Sequence, residues 1–500
     1  MKGHDIKKKY LFPLVIITVL LFPLSPSQAE PEIGKVRGFH QAVEKILTHP
    51  CLKKKNYGVE IFSLDRHEIL FQVRKDKKFI PASNLKLITT AAALKHLGPD
   101  YRFSTRLFTT GRLEGDTLYG DLYIKGYGDP KLVTEQMWLL VNELENLPLR
   151  KIVGNIIADD SYFDSILRVK TWEQPGGAEA YNAPLGALSF NFNTVTVYVS
   201  PGDGSGDKPR IIVEPDTQYL KINNRTRTLP NGKRGRLTVH RMDRGDYDEI
   251  SITGKISKSR PRARYFVNIT DPTKYTVSVF KEYLARVGIQ FVGETVLGTV
   301  PKGARLLVNH KSEPLALALR GLNKFSNNFV AEQIVKTMAA EQFGPPGTTE
   351  KGLKIIHQYM QSLGFQAGRF KIVDGSGLSR QNRLTANQIV KVLDDVREDL
   401  SIFPEFISAL GVMGVDGNVR KRMNGVEESQ KARVKTGTLN SVSSLSGYFQ
   451  SLDGERFAFS ILMNDLKCHN GQALKIQDRI VREGLRFNRG NKIQDKRSRP

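Results

Sequence analysis

The N-terminal part of the chain shows two hydrophobic periodicities in succession. Residues 38–49 place their apolar side chains three and four positions apart, which is the spacing of one face of an amphipathic helix. Segments 57–64 and 67–73 are rich in β-forming residues and are separated by Asp65-Arg66. This region therefore predicts a helix followed by two paired strands.

The C-terminal part shows the same two periodicities in the opposite order. Three strand-like segments, 434–438, 446–451 and 457–463, precede a helical stretch at 472–485, and Asp453-Gly454 predicts a turn between the last two strands. No βαβ unit joins strands at either end of the chain. We therefore predict an α+β fold in which both ends build one mostly antiparallel sheet covered by helices.

The middle of the chain divides into a strand-rich segment and a helical lobe. The lobe begins at Pro314 and contains four predicted helices, which are 315–320, 326–341, 350–363 and 386–396. Before it, strand-like runs separated by Gly, Pro and Asp turns dominate residues 100–310. These runs are 117–124, 152–158, 194–199, 210–213, 237–239 and 249–252.

Together these patterns predict a discontinuous arrangement of domains. The first domain comprises residues 30–99 and 310–490, and it holds the antiparallel sheet and the helical lobe. A β-rich domain, residues 100–195 and 265–309, is inserted into it. A smaller polar unit, residues 196–264, is nested in the insertion, and a basic tail follows at 491–500.

The first 29 residues have the features of a secretory signal peptide. Three lysines at 7–9 precede an apolar run from Tyr10 to Leu24, and Ser27-Gln28-Ala29 supplies the small residues of a cleavage site. The alternative is an anchor that stays attached, but the run is shorter than the ~20 residues that a membrane span needs. We therefore predict an exported protein of the periplasm or another extracytoplasmic space.

The composition is that of a globular protein with a strongly basic surface. Hydrophobic residues make up 40% and charged residues 25%, which argues against disorder. The net charge is +24, and +21 remains after residues 1–29 are removed. Such an excess favours polyanions. Export removes nucleic acid from that class and leaves a membrane surface or an acidic wall polymer as a peripheral partner. The basic residues at 225, 227, 233, 234 and 236 are candidates for this contact, or else form a solvated face.

The two cysteines, Cys51 and Cys468, lie near opposite ends of the predicted mature chain. Export permits a disulfide, and the two residues can meet only if both ends share one domain. The chain contains no Cys/His spacing typical of a structural metal site. We predict neither a metal nor a cofactor.

A serine and a lysine one helical turn apart are the first candidates for chemistry. Ser83-Asn84-Leu85-Lys86 opens an Ala/Leu-rich helix that ends at Leu97-Gly98-Pro99. Burial would lower the pKa of the amine, so that the neutral form accepts the serine proton, while the helix N-terminus favours a developing oxyanion. An isolated Ser-x-x-Lys is also common by chance, and it then represents a helix cap followed by a solvated lysine.

Two further motifs favour the catalytic interpretation of the Ser-x-x-Lys motif over a simple helix cap. Ser326-Asn327-Asn328 predicts the start of another helix and supplies a second hydroxyl and an amide, with helix capping as the alternative. Lys435-Thr436-Gly437-Thr438 lies on a predicted strand, where Gly437 permits a substrate backbone to approach and the Thr hydroxyls can bind a carboxylate. Three motifs in this order match the set of penicillin-binding proteins and class A β-lactamases.

The chain therefore resembles the low-molecular-mass class C penicillin-binding proteins, the D-alanyl-D-alanine carboxypeptidase/endopeptidase group of peptidase family S13. The likeness extends to residues 126–130, 181–193, 374–379 and 416–422, and the family carries large inserted domains between its first two motifs. The resemblance implies a penicillin-binding transpeptidase-like domain with inserted β-rich domains. It also implies hydrolysis of peptidoglycan peptides through an acyl-enzyme on Ser83, with β-lactams as covalent inhibitors.

The resemblance also implies a set of site residues. The catalytic group is Ser83, Lys86, Ser326, Asn328 and Lys435, and the substrate-binding group is Thr436, Gly437 and Thr438. Some relatives place an aspartate near the lysine where this chain has Asn191, so we expect Lys86 to lack a carboxylate neighbour.

Two other functions stay open at this point. One is a β-lactamase or esterase on the same scaffold, although the sequence contains neither a Glu-x-x-Leu-Asn element nor a Gly-x-Ser-x-Gly elbow. The other is a wall-binding protein that keeps the fold without catalysis.

Overall fold

The computed structural model describes residues 26–53, 55–173 and 177–490, with side chains from residue 32 onward. The predicted signal peptide lies outside these ranges apart from its last four residues, and the predicted basic tail at 491–500 lies outside them entirely. Within the described ranges, no helix has both the length and the apolar character needed to cross a bilayer.

Ten α-helices form within the described residues. They are α1 (Pro26–Leu47), α2 (Leu85–Leu97), α3 (Thr134–Glu145), α4 (Pro272–Arg286), α5 (Leu315–Phe325), α6 (Asn328–Phe343), α7 (Thr349–Ser362), α8 (Ala386–Glu398), α9 (Phe403–Ala409) and α10 (Asn470–Arg486).

The same residues form twenty-one strands. They are β1 (Tyr57–Ser63), β2 (Glu68–Val73), β3 (Ser104–Thr109), β4 (Arg112–Glu114), β5 (Thr117–Tyr119), β6 (Leu122–Gly126), β7 (Lys151–Val153), β8 (Ile156–Asp159), β9 (Thr194–Ser200), β10 (Arg210–Glu214), β11 (Leu220–Leu229), β12 (Leu237–Asp243), β13 (Asp248–Ser257), β14 (Ala263–Asn268), β15 (Gln290–Val292), β16 (Thr295–Leu297), β17 (Arg305–Lys311), β18 (Gly411–Val412), β19 (Ala432–Leu439), β20 (Val442–Gln450) and β21 (Arg456–Met463).

The two ends of the chain meet in a six-stranded sheet of order β18-β19-β20-β21-β1-β2. All of its pairs are antiparallel, and β1 lies directly against β21, with Tyr57 opposite Met463 and Ser63 opposite Phe457. Alternate residues of β21 enter two different cores, because successive side chains of a strand point to opposite faces. Phe459 packs among side chains of α1 and α10, whereas Leu462 packs with the helical lobe. The predicted antiparallel sheet covered by helices is confirmed.

Helix α2 forms the centre of the helical lobe. Every residue from Leu85 to Leu94 is buried, and such all-round burial is typical of a helix enclosed by others. Its apolar side chains pack with those of α5 to α9. The four helices predicted for the lobe are present, and the sequence reasoning missed only the short α9.

Strands dominate the inserted segment, but their arrangement differs from the prediction in one respect. The single runs predicted at 117–124 and 152–158 are each two strands that lie in two different sheets, of order β15-β7-β5-β4 and β16-β8-β6-β3-β17. The two runs are interrupted at Gly120 and Gly154. These glycines lie against each other, and a Cβ at Gly154 would collide with the backbone of Gly120. Only glycine permits this close approach of two backbones.

The predicted nested unit, residues 196–264, contains the sheet β11-β13-β12 and most of the sheet β10-β9-β14, whose strand β14 lies mainly beyond residue 264. Its apolar residues Tyr219, Leu237 and Ile250 share one core with Leu107 and Phe280 of the surrounding insertion. The nested unit therefore has no separate core among the described residues. Helices α3 and α4 pack into the same core and were not predicted. The domain boundaries stated above remain predictions.

Cys51 and Cys468 form a disulfide, with their Cα atoms 5.3 Å apart. The bridge joins the turn after α1 to the segment between β21 and α10. The sequence left open whether the two cysteines can meet. They do, because the pairing of β1 with β21 brings the two ends of the chain together.

Candidate active site

Ser83 lies where the central sheet meets the N-terminus of α2. It belongs to a 310 turn, Ala82–Asn84, that runs directly into the helix, so the predicted helix start is confirmed. Ala82 has a φ of 47°, a left-handed conformation that is uncommon for residues other than glycine. The Asn84 amide donates to Ser446 Oγ at 2.6 Å and ties the turn to strand β20. Ser83 is thereby held in a fixed position and is partly exposed.

Lys86 is fully buried and lies one turn along the same helix. Its Nζ lies 3.0 Å from Ser83 Oγ, 2.7 Å from Asn328 Oδ1 and 2.5 Å from the carbonyl oxygen of Ser376. Burial lowers the pKa of Lys86 to about 7, against the opposing effect of nearby carboxylates. The amine can therefore be neutral near neutral pH and accept a proton from the serine.

The sequence predicted that a helix begins at Ser326 in the second motif, but the structure shows that none does. Ser326 follows the last residue of α5 in a left-handed conformation, with φ 60° and ψ 41°. This conformation ends α5, and Asn327 then caps α6 by accepting from the Val330 N–H at 3.2 Å. Ser326 consequently lies at the junction of two helices. Asn328, the first residue of α6, donates from Nδ2 to the carbonyl oxygen of Tyr181 at 3.0 Å.

Lys435 connects the third motif to the second. Its side chain is fully buried, and its Nζ donates to Ser326 Oγ at 2.9 Å and to the Thr436 carbonyl at 2.6 Å. Burial, and to a smaller extent the charge of Lys86, hold the pKa of Lys435 well below its ordinary value. Two hydroxyl–amine pairs, Ser83 with Lys86 and Ser326 with Lys435, thus lie in one site.

Gly437 brings strand β19 against the turn Ala82–Asn84, which we call the nucleophile turn after the role predicted for Ser83. A Cβ at this position would lie 2.9 Å from the backbone nitrogen of Ser83 and 3.0 Å from the carbonyl oxygen of Pro81. The absence of a side chain therefore permits the strand to pass the N-terminus of α2. Thr436 and Thr438, on either side, line the same cleft as Ser83.

The cleft between these elements has a volume of about 500 Å3. Five of the predicted residues line it, namely Ser83, Ser326, Asn328, Thr436 and Thr438, while Lys86 and Lys435 lie buried beneath. Trp172, Tyr181 and Arg380 add aromatic and basic side chains to the walls. Such a cleft combines a hydroxyl nucleophile, a neighbouring amine and hydrogen-bonding groups for an extended substrate. Among the described residues, no cluster of His, Cys, Asp or Glu has the arrangement of a metal site.

Comparison with known families matches most of the chain to one of them. The family described as D-Ala-D-Ala carboxypeptidase 3 (S13) matches residues 39–483. The chain belongs to the S13 family. The resemblance inferred from the three motifs is thus confirmed, and the match includes both the central sheet and the inserted domains.

Two curated relatives and one solved structure place this S13 protein more closely. A D-alanyl-D-alanine carboxypeptidase of Actinomadura sp. (strain R39) is 30% identical over 93% of this chain and 89% of its own length. The D-alanyl-D-alanine carboxypeptidase DacB of Haemophilus influenzae is 24% identical over 84% of this chain and 87% of its own.

The crystal structure of penicillin binding protein 4 (dacB) from Haemophilus influenzae superposes with a TM-score of 0.77 and 22% identity. The superposition covers 89% of this chain and 99% of that one, and the same protein has been solved in complex with a β-lactam. This likeness confirms the predicted fold class.

The expectation for Asn191 is wrong in this S13 protein. The Asn191 side chain does not approach the lysine but bonds the backbone and hydroxyl of Thr134 at the start of α3. The carboxylates that raise the pKa of Lys86 belong instead to Asp374 and Glu332. Lys86 therefore has carboxylate neighbours, contributed by a different part of the chain.

Sequence reasoning also missed the roles of these two acids. Both are fully buried, Glu332 on α6 and Asp374 in the Asp374–Ser379 turn. Asp374 accepts from the backbone N–H groups of Gly377 and Ser379, at 2.9 and 2.7 Å, and from the indole N–H of Trp172 at 3.1 Å. The turn had been noted only as part of the family likeness. The two glycines and two serines that follow Asp374 could have predicted a tight turn stabilised by hydrogen bonds to the acid.

Proposed function

We propose that this serine peptidase hydrolyses the D-alanyl-D-alanine ends of peptidoglycan peptides through an acyl-enzyme on Ser83, and that penicillin acylates the same residue. The observation that carries the proposal is the pair of contacts in one cleft, Lys86 Nζ to Ser83 Oγ and Lys435 Nζ to Ser326 Oγ. The family and the names of the curated relatives support the same activity.

In the acylation step, Ser83 Oγ attacks the carbonyl carbon of the penultimate D-alanine and Lys86 accepts the hydroxyl proton. The backbone N–H groups of Ser83 and Thr438 stabilise the oxyanion of the tetrahedral intermediate. The positive end of α2 adds to this stabilisation because Ser83 lies at its N-terminus. The scissile C–N bond then breaks, and Ser83 keeps the acyl group.

The leaving amine must receive a proton as that bond breaks. Ser326 donates it, and Lys435, at 2.9 Å from the hydroxyl, replaces it. Asn328 holds Lys86 through its Oδ1 and is itself held by the Tyr181 carbonyl, which fixes the amide orientation. Water then attacks the ester carbonyl and a water proton returns to Ser83 Oγ, while transfer of the extra proton of Lys86 back to Lys435 restores the free enzyme.

The third motif binds the terminal carboxylate of the substrate. Thr436 and Thr438 supply hydroxyl donors along β19, and Lys435 supplies positive potential from below. Gly437 lets β19 pass against the turn that holds Ser83, so that Thr436 and Thr438 line the cleft beside this serine. The acyl donor therefore lies as an extended chain alongside β19.

A labelling experiment tests the nucleophile. The wild-type protein should form a covalent adduct with fluorescent penicillin, and Ser83→Ala should form none. Ser408→Ala is the matched control, since Ser408 is exposed on α9 and bonds only its own helix, at the Glu405 carbonyl. Labelling of Ser83→Ala at the wild-type level would reject Ser83 as the nucleophile.

Two measurements separate the competing functions. A β-lactamase or esterase would turn over many penicillin molecules, whereas a peptidase should deacylate the penicillin adduct slowly. A non-catalytic wall-binding protein would release no D-alanine from a pentapeptide. Mass spectrometry of products from purified peptidoglycan peptides then distinguishes removal of the terminal D-alanine from cleavage of cross-links.

The extracytoplasmic location is part of the proposal and depends on the predicted leader. We expect cleavage after Ala29 in a bacterial secretion host. The intact mass of the exported protein tests this directly. A mass that still includes residues 1–29 would favour the attached anchor instead.

The basic surface of the insertion supports the proposed peripheral contact with an anionic partner. Arg227 on β11 lies opposite Lys255 on β13, and Arg236 lies on the other side of Lys255, because the Lys255 N–H donates to the Arg236 carbonyl. Three exposed cations, on β11, on β13 and directly before β12, therefore lie side by side, where like charges repel. The ion pairs of this sheet among the described residues involve Arg241 and Arg244 and none of these three.

A binding assay with matched charge removal tests this contact. The variant with Arg227, Arg236 and Lys255 all changed to Gln should lose most salt-sensitive binding to anionic lipid vesicles or to an acidic wall polymer. The control removes the same charge elsewhere, from the exposed residues Lys354, Lys475 and Arg479. Equal losses in both variants would reduce the contact to an effect of net charge.

A further inference from the structure

A buried glutamate that is not one of the predicted site residues supports the Lys86 site from behind. Glu332 lies on α6, one turn after Asn328, and is fully buried. Its carboxylate accepts from the Gly375 N–H, at 3.0 Å to each oxygen, and from the Ser376 N–H at 2.8 Å. On the other side of the same peptide segment, the Ser376 carbonyl accepts from Lys86 Nζ at 2.5 Å.

The hydrogen-bonding capacity of the amine gives this arrangement a chemical meaning. Carbonyl oxygens only accept, so Lys86 donates to both Asn328 Oδ1 and the Ser376 carbonyl. A neutral amine has two N–H bonds and one lone pair. Because the two carbonyl oxygens occupy both N–H bonds, the lone pair is left for Ser83 Oγ, 3.0 Å away. The position of the Ser376 carbonyl therefore determines where the lone pair points.

We propose that Glu332 is a positioning residue for the general base: by clamping the Gly375 and Ser376 N–H groups, it fixes the carbonyl that aims the Lys86 lone pair at Ser83. Asn328 and Glu332 lie on consecutive turns of α6, so one helix sets both acceptors of the amine. The inference rests on the proposed function, since it assumes that Lys86 receives the Ser83 proton.

The charge of Glu332 adds a second effect. Burial and the neighbouring Asp374 raise the pKa of Glu332 to about 7, and Asp374 and Glu332 both act to raise the pKa of Lys86. Lys435 is the other buried amine of the site, and its pKa is lowered by burial and by Lys86. Lys336 lies one turn further along α6 and is paired with Asp164 at 2.6 Å. Removing the Glu332 charge should therefore favour neutral Lys86.

Three variants separate the geometric effect from the electrostatic one. Glu332→Gln keeps an oxygen that can accept from Gly375 and Ser376 but removes the charge. Glu332→Ala removes both. Glu60→Gln is the control, because Glu60 is an equally buried acid of the same sheet-and-helix domain that contacts Asn387 and not the turn. The measurement is the second-order rate of acylation by fluorescent penicillin from pH 5 to 9, with thermal unfolding of each variant.

The expected result has two parts. The acid limb of the profile should move to lower pH in Glu332→Gln, by less than about one pH unit because Glu332 is itself partly protonated there, with a plateau rate near wild type, and should not move in Glu60→Gln. The plateau rate of Glu332→Ala should fall about tenfold or more. If Glu332→Ala does not fold, Glu332→Leu takes its place in the same assay, because leucine fills a similar volume and offers no acceptor to Gly375 and Ser376.

A plateau rate of Glu332→Gln as low as that expected for Glu332→Ala would overturn the inference, because the glutamine still offers an acceptor to the Gly375 and Ser376 N–H groups. An equal shift in Glu60→Gln, or a folded Glu332→Ala within twofold of wild type, would overturn it as well. Failure of wild-type labelling at Ser83 would instead reject the proposed function, so the two failures are distinguishable.

Discussion

Replacing Gly437 with alanine tests whether strand β19 must touch the nucleophile turn. The new Cβ would lie 2.9 Å from the Ser83 nitrogen and 3.0 Å from the Pro81 carbonyl oxygen, whereas ordinary contacts begin at 3.4 Å. Both neighbours are backbone atoms and cannot rotate away. The strand must therefore retreat by about half an ångström from the turn. Thr438 and Lys435 move with it.

The magnitude follows from how steeply such reactions depend on position. A misplacement of 1 Å can slow an enzyme about 100-fold, so half of that displacement predicts an acylation rate about tenfold below wild type. Overpacking also predicts a loss of about 1 to 3 kcal/mol in the free energy of unfolding. The assay is stopped-flow acylation by fluorescent penicillin, with thermal unfolding measured on the same samples.

Two further variants sharpen the test. Gly321→Ala is the control, because a Cβ on this residue of α5 meets no atom within 4 Å. It should acylate at the wild-type rate. The double variant Gly437→Ala/Ser444→Ala removes the Ser444 hydroxyl, which is the side-chain atom that the new Cβ would also meet. The double variant should remain slow, since the contacts with the backbone of Ser83 and Pro81 persist.

Either of two results would refute this reasoning. One is a wild-type rate for Gly437→Ala with intact folding, which would mean that β19 and the nucleophile turn can separate without effect. The other is full recovery in the double variant, which would assign the defect to Ser444 alone.

Three further predictions concern other parts of the molecule. Acylation should rise with pH through about 7 and level off above it, because the pKa of Lys86 is lowered to about 7 and the neutral amine is the base; a flat profile from pH 5 to 8 would contradict this. Changing Cys51 and Cys468 together to Ala should lower the unfolding free energy by about 2 to 4 kcal/mol in thermal melts, while acylation at low temperature stays at wild type. Asp164→Asn should lower the free energy of unfolding by up to about 3 kcal/mol, because it leaves the ammonium of Lys336, which is 1% exposed, without its carboxylate. Lys336→Met should cost less, and the reverse order of melting temperatures would contradict this.

Local patterns were sufficient for elements whose periodicity agrees with their final environment. Segments 57–64 and 67–73 became β1 and β2, and the helix predicted at 472–485 became α10 with one or two residues added at each end. Patterns failed where two elements join. The run 117–124 looked like one strand because Gly120 lies inside an otherwise β-forming stretch, and the change of sheet at this point depends on the backbone of Gly154.

The motifs located the site but not its full support. Ser83, Lys86, Ser326, Asn328 and Lys435 were recognisable because their spacing and order are characteristic. Glu332 and Asp374 carry no such pattern, since a single acid on a helix or in a turn usually faces solvent. The error at Asn191 has the same origin, because alignment of a short motif does not show which carboxylates reach a buried amine.

Residue types at short, regular spacings were enough to predict the class of fold, the order of the three motifs and the family. The surroundings of Lys86 depend on tertiary contacts. The Asn328 amide and the Ser376 carbonyl come from positions 242 and 290 residues away along the chain. Contacts between such distant positions arise when buried helices pack against a sheet, and hydrophobic periodicity does not specify which polar atoms then meet. The chemistry of the site depends on these contacts between polar atoms.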